Sequence, residues 1–158
     1  MTITDYLIDQ TDIDWASLLG PFHWLIPREF TVWLVNRYGD VVFVRDDGSV
    51  HMLDIGRGTV AKVAASRDEF ARLLDEHGNA PDWLMIPLVD RCVAAGLLLR
   101  SGQCYTYRQP PVLGGDYTVA NTTVTSLLDH YAFYGALHDR IKDLADGEKV
   151  HLDLGRDA

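Results

Sequence analysis

Between Thr31 and Ala64 the apolar positions fall in short β-branched and aromatic runs separated by turn residues. Residues 31–36 (TVWLVN), 40–44 (DVVFV), 50–55 and 59–64 (TVAKVA) form four such runs. Arg37-Tyr38-Gly39, Asp47-Gly48 and the pair Gly56 and Gly58 stand at the connections. Asp-Gly between apolar runs is a strong hairpin signal, and runs this short and close favour an antiparallel meander in a single twisted sheet.

Beyond residue 64 the period changes. Ser66 and Glu69 form a capping box, which predicts a helix over about 67–76 with Phe70, Leu73 and Leu74 inward and Gly78 as its left-handed stop. Pro87 interrupts the next helical stretch, which predicts a turn at 82–85 and a helix from Pro87 to Gly96. Residues 104–108 read as a strand, and Tyr117–Val119 as a short one. A last helix is predicted to start after Asn121 or Thr122 and to run to about Ala145, where Asp146-Gly147 ends it. Its buried face carries Leu127, Tyr131, Tyr134, Leu137, Ile141 and Leu144. Val150–Leu154 can add an edge strand. In the N-terminal part, Thr11 is placed to cap a short helix ending near Gly20, followed by an irregular stretch broken by Pro21 and Pro27. The fold class that follows is α+β: one domain, with an antiparallel twisted sheet of about four to six strands flanked by helices. Residues 1–30 form a helical extension of the compact unit 31–154.

Composition narrows what such a domain can do. A chain of 158 residues with 47% hydrophobic content buries a sufficient core without staples. The formal net charge of −9 repels a phosphate backbone, and no cluster of Lys and Arg offsets it, so direct nucleic-acid binding is not expected. An acidic surface serves solubility, or steers a basic partner. Cys92 and Cys104 form no metal-binding spacing and read as small buried hydrophobes. The acidic N-terminus is unlike a signal peptide, and no run of apolar residues is long enough to span a membrane. The expectation is a cytoplasmic protein, monomeric or weakly dimeric.

Few residue patterns point to chemistry. Gly114-Gly115 sits ahead of the last helix, but neither GxxxxGK[ST] nor GxGxxG is present, so the pair reads as bent backbone rather than a phosphate cradle. His130, Tyr134 and His138 recur every four residues on the apolar face of that helix. The two histidines lie two turns apart, roughly 12 Å, too far to share one ion. They are either hydrogen-bonded core aromatics or, with Tyr105 and Tyr107, the lining of a small-ligand or catalytic groove. Trp24, in a loop with Phe22 and His23, is core packing or a partner contact. HExxH and GxSxG are absent. No catalytic residue, metal or cofactor is assigned.

Several stretches nevertheless carry a resemblance. Asn36-Arg37-Tyr38-Gly39-Asp40, then DGSVHMLDIGRG (47–58), DWLM (82–85), GQCYTY (102–107), PPVLGGDY (110–117) and HDRIKDLADG (138–147) occur in order. This string resembles the bacterial domain family named for the C-terminal part of immunity proteins paired with type VI secretion DNase toxins. LADG stands where the family pattern leads one to expect LPDG. The resemblance covers about residues 31–154 and implies inhibition by binding: a non-catalytic antidote that occludes the active cleft of a cognate basic toxin. Charge and turn position, not the family, select the candidate contact residues Asp46, Asp47, Asp54, Arg57, Asp116 and Tyr117.

Overall fold

The computed structural model describes residues 2–76 and 78–144. The expected edge strand at 150–154 and the helix stop at 146–147 lie outside these residues. The meander is present as β1 (Thr31–Val35), β2 (Val41–Val44), β3 (Val50–Asp54) and β4 (Thr59–Ala64), antiparallel throughout and in the order β1-β2-β3-β4. β2 is buried on both faces. Val41 and Phe43 enter the larger core, and Val42 and Val44 enter a smaller one beneath the helix α2 (Arg67–Leu74). That two-sided burial is why the strand is an unbroken apolar run rather than an alternating one.

The capping box holds: Ser66 Oγ accepts from the Glu69 amide at 3.1 Å, while Glu69 reaches back to the Ala65 amide at 3.2 Å. Phe70 on α2 stacks on Trp83, with ring centroids 5.0 Å apart, and closes the smaller core. Trp83 ends a short helix, α3 (Asn79–Trp83), which begins ahead of the turn expected at 82–85. Helix α4 (Ile86–Ala94) follows, with Pro87 in its first turn, where the missing amide costs nothing. Near the N-terminus, Asp14 rather than Thr11 caps α1 (Trp15–Leu18), accepting from the Ser17 amide at 3.2 Å. Thr11 is instead engaged by Asp9.

The largest departure concerns residues 117–126. Thr122–Ser126 is a strand, β6, paired with β5 (Gln103–Tyr107) in a separate two-stranded antiparallel sheet, whereas Tyr117–Val119 is loop. Thr-Thr-Val-Thr-Ser is a β-branched run, but Val124 also falls in phase with the helix behind it, so the helical period was extended too far. Ser126 caps the helix proper, α5 (Leu127–Ile141), accepting from the Asp129 amide at 3.1 Å.

Helix α5 organises the larger core. It packs on β5, β6 and the turn at Gly20–Phe22. Its side chains also bond backbone carbonyls at the ends of the main sheet. His130 Nε2 donates to Tyr38 O at 2.9 Å, Tyr131 Oη to Gly39 O at 2.7 Å, and His138 Nε2 to Ile55 O at 2.6 Å. Such close approach requires glycine at Gly58, where φ is +69° and an added Cβ would lie 2.4 Å from the His138 ring. Gly48 has a similar φ of +84° but open space around it. Gly48→Ala is therefore expected to cost about 1–2 kcal/mol for the left-handed backbone alone. Gly58→Ala is expected to cost a further ~1–3 kcal/mol for overpacking. Urea midpoints of the two variants check this, and equal losses would show that α5 does not approach the sheet as described.

Candidate functional site

The site begins with the tight turn between β1 and β2. Asn36 Oδ1 accepts from the Tyr38 and Asp40 amides, each at 3.0 Å. Asn36 Nδ2 donates to Asp40 Oδ2 and to the Trp83 carbonyl, each at 2.9 Å. The other Asp40 oxygen accepts from the Ile55 amide at 2.8 Å. One buried Asn–Asp pair thus ties together the β1–β2 turn, the end of β3 and the end of α3.

Asp40 is 7% exposed. Burial pushes its carboxyl up to about 7, and the neighbouring charge of Asp54 adds to the rise. The hydrogen bonds from Asn36 and Ile55, and the charge of Arg57, hold it back in part.

Above Asp40 opens a cleft of about 630 Å³. Met52, Ala61 and Val63 of β3 and β4 line its sheet side, and Trp83 and Met85 border it from the helical side. Asp54, Arg57, Asp82 and Tyr117 complete its wall. Arg57 lies loosely against Asp54, with Nε 3.9 Å from Oδ2 and a side chain that is 72% exposed. Tyr117 arrives on the loop that follows β5. That loop leans on Gly56, where an added Cβ would lie 3.3 Å from Pro111 and 3.6 Å from the Tyr117 hydroxyl. Gly114 and Gly115 shape the same loop. Gly114 has φ of +92°, and an added Cβ on Gly115 would collide with the Gln109 carbonyl, so the pair is bent backbone. Asn121 Nδ2 fastens the loop to the carbonyls of Gln109 and Asp116.

Of the six candidate contact residues, Asp54, Arg57 and Tyr117 share this cleft. Asp46 and Asp47 lie in the β2–β3 turn, beside a separate recess bordered by Pro27, Arg28 and Glu29. There Asp47 is held by Ser49, whose amide and hydroxyl both donate to it, and these bonds pull its carboxyl below the usual range. Asp116 is exposed next to Tyr117, outside the cleft lining. Sequence reasoning missed Asp40, Asp82 and Trp83. The available signal was Asn36 four residues ahead of Asp40 across a Gly turn, a spacing suited to side-chain capping of the backbone.

Tyr105, Tyr107, His130, Tyr134 and His138 are all buried, and Tyr107 and His130 line a cavity of about 460 Å³ together with Thr123, Val124, Asp129 and Phe133. Tyr105 donates to the Leu97 carbonyl at 2.5 Å. Burial lowers both histidines, His130 to about 4, so each stays neutral and donates from Nε2 to its carbonyl acceptor. Burial also raises Tyr134, to about 12. Cys92 and Cys104 are free and buried. Trp24 packs against the larger core with Lys142 over its ring. Among the described residues no group of three or more His, Cys, Asp or Glu could hold a metal ion, and no helix is long and apolar enough to cross a membrane.

Comparison with known families gives a match to part of the chain. Residues 64–138 match the family model described as "T6SS immunity protein Tdi1, C-terminal". This segment, a little under half of the chain, is similar to that family of type VI secretion immunity proteins, the family that the sequence motifs resemble. No curated protein matches the chain. The matched segment supplies Asp82, Trp83, Met85, Tyr107 and Tyr117 to the cleft, while Asp40, Asp54 and Arg57 come from the strands before it.

The state of Asp40 is open to measurement. The folded carboxyl keeps its proton up to about pH 7, whereas the unfolded carboxyl releases it near 3.8. The Asp40 contribution to stability is therefore full below the lower value and is lost as pH rises through the upper one. Asp40→Asn cannot titrate. The stability of the wild type relative to this variant is expected to fall between about pH 4 and pH 7 by a few kcal/mol. Urea unfolding across that range reads the gap, and a constant gap would contradict the assignment.

Proposed function

We propose that this protein is a non-catalytic antidote that binds a cognate type VI secretion toxin, a nuclease, in the cytoplasm and occludes its active cleft. The observation that carries this reading is the match of residues 64–138 to the immunity-protein family. Charge supports the finer part. A nuclease presents a basic surface to its substrate, and a chain of net charge −9 complements such a surface while having no cationic patch of its own to grip nucleic acid. The proposed contact face is the cleft wall and the neighbouring loops, with Asp54, Arg57, Asp116 and Tyr117 on one side and Asp46 and Asp47 on a second, outlying patch. The protein acts as a monomer or weak dimer, and neutralisation involves no covalent step. The competing picture is a ligand groove built from Tyr105, Tyr107, His130, Tyr134 and His138; it is less favoured because all five are buried, with Tyr107 and His130 lining a cavity of about 460 Å³.

Co-expression with the toxin gene encoded beside this one tests the proposal. Cells are expected to survive only when the protein is present, and the two products are expected to co-purify. Affinity is expected to weaken by about tenfold or more as salt rises from about 0.05 to 0.5 M, because the attraction is largely between exposed charges. Cell death despite expression of the folded protein would refute the reading.

A further inference from the structure

We propose that the cleft above Asp40 is a receptor for a single arginine side chain projected by the toxin. This inference rests on the immunity reading and names the contact that would carry it.

The charges around the cleft are unbalanced. Asp40, Asp54 and Asp82 line it against one cation, Arg57. That cation is mostly in solvent, holds Asp54 at 3.9 Å and hydrogen-bonds the Tyr117 hydroxyl, so an incoming cation would have to displace these two exposed contacts. Asp40 is already engaged by Asn36 and the Ile55 amide, and the described residues offer no metal-binding cluster. A small ion is therefore disfavoured. A guanidinium, whose five N–H groups lie in one plane, can reach separated acceptors at once.

The walls favour the same occupant. Tyr117 and Trp83 border the opening, and one face of Trp83 is already taken by Phe70. Aromatic groups beside carboxylates attract guanidinium more than ammonium, because arginine is the more weakly hydrated cation and stacks on rings. Met52, Ala61 and Val63 give the aliphatic stem of the incoming side chain an apolar bed. Asp40, at the base, is a buried carboxylate hydrogen-bonded only by neutral donors, Asn36 and the Ile55 amide. Its charged form is costly in the free protein and becomes favourable when a cation enters.

The experiment uses the ¹⁵N-labelled full chain and N-acetyl-arginine methylamide as the probe, with the neutral citrulline analogue as control. The Trp83 indole N–H, assigned with Trp83→Phe, is expected to shift saturably with the arginine probe only. The double variant D54N/D82N is expected to weaken that response at least about tenfold. Asn at 54 retains an oxygen for the Arg57 amide, which Asp54 Oδ1 accepts at 3.0 Å, and Asp82 is exposed, so a urea midpoint close to wild type is expected and confirms folding. In parallel, the toxin is expected to bind this variant at least about 100-fold more weakly than wild type, while D75N, which removes an exposed charge outside the cleft and the proposed contact face, stays within about threefold. No response from Trp83, or an equal response to both probes, overturns the proposal. A double variant that binds the toxin as wild type does also overturns it, yet leaves the immunity reading intact. A wild-type protein that fails to bind the toxin removes the immunity reading and, with it, the occupant assigned here.

Discussion

The seating of α5 against backbone carbonyls is the constraint on which the other features depend. A helix face carrying histidines and tyrosines would leave buried donors without partners unless acceptors were held opposite them. Tyr38, Gly39 and Ile55 supply those acceptors from the ends of the main sheet. The turn between β1 and β2 must therefore be held rigidly, and Asn36 and Asp40 do so from within. The same Asn–Asp pair then reaches α3 through the Trp83 carbonyl, and the cleft exists because that reach leaves Asp40 beneath an uncovered part of the sheet. Core and site thus share one polar knot, with the helix on one side of it and the proposed contact face on the other.

The parts of the fold legible in the sequence were those where local signals agree. Asp47-Gly48 between apolar runs gave a hairpin, and Ser66 with Glu69 gave a helix start, because both depend on neighbours in the chain. Thr122–Ser126 was misassigned because its partner, β5, lies about twenty residues away and only pairing distinguishes a β-branched strand from the first turn of a helix. The site was harder still. Asp54, Arg57 and Tyr117 could be picked out by charge and turn position, but their meeting required the loop after β5 to fold over Gly56. Asp40 looked like the polar first residue of a strand. Its role is set by burial and by Ile55, fifteen residues on, and neither is visible in periodicity. Asp46 and Asp47 were chosen on the same grounds as Asp54, yet their turn lies beside a different recess.

The family match and the structure contribute different things. The match shows what residues 64–138 are similar to, and the structure shows that the strands before this segment share one core with it. In this account the protein acts by shape and charge. The buried histidines are neutral, bond backbone carbonyls and lie away from the cleft.

Hydrogen–deuterium exchange of the protein, alone and saturated with its toxin, measures the central claim most directly. The account predicts new protection concentrated in residues 52–61, 82–85 and 111–118. Protection confined to the N-terminal residues 3–18, with those three segments unchanged, would contradict it.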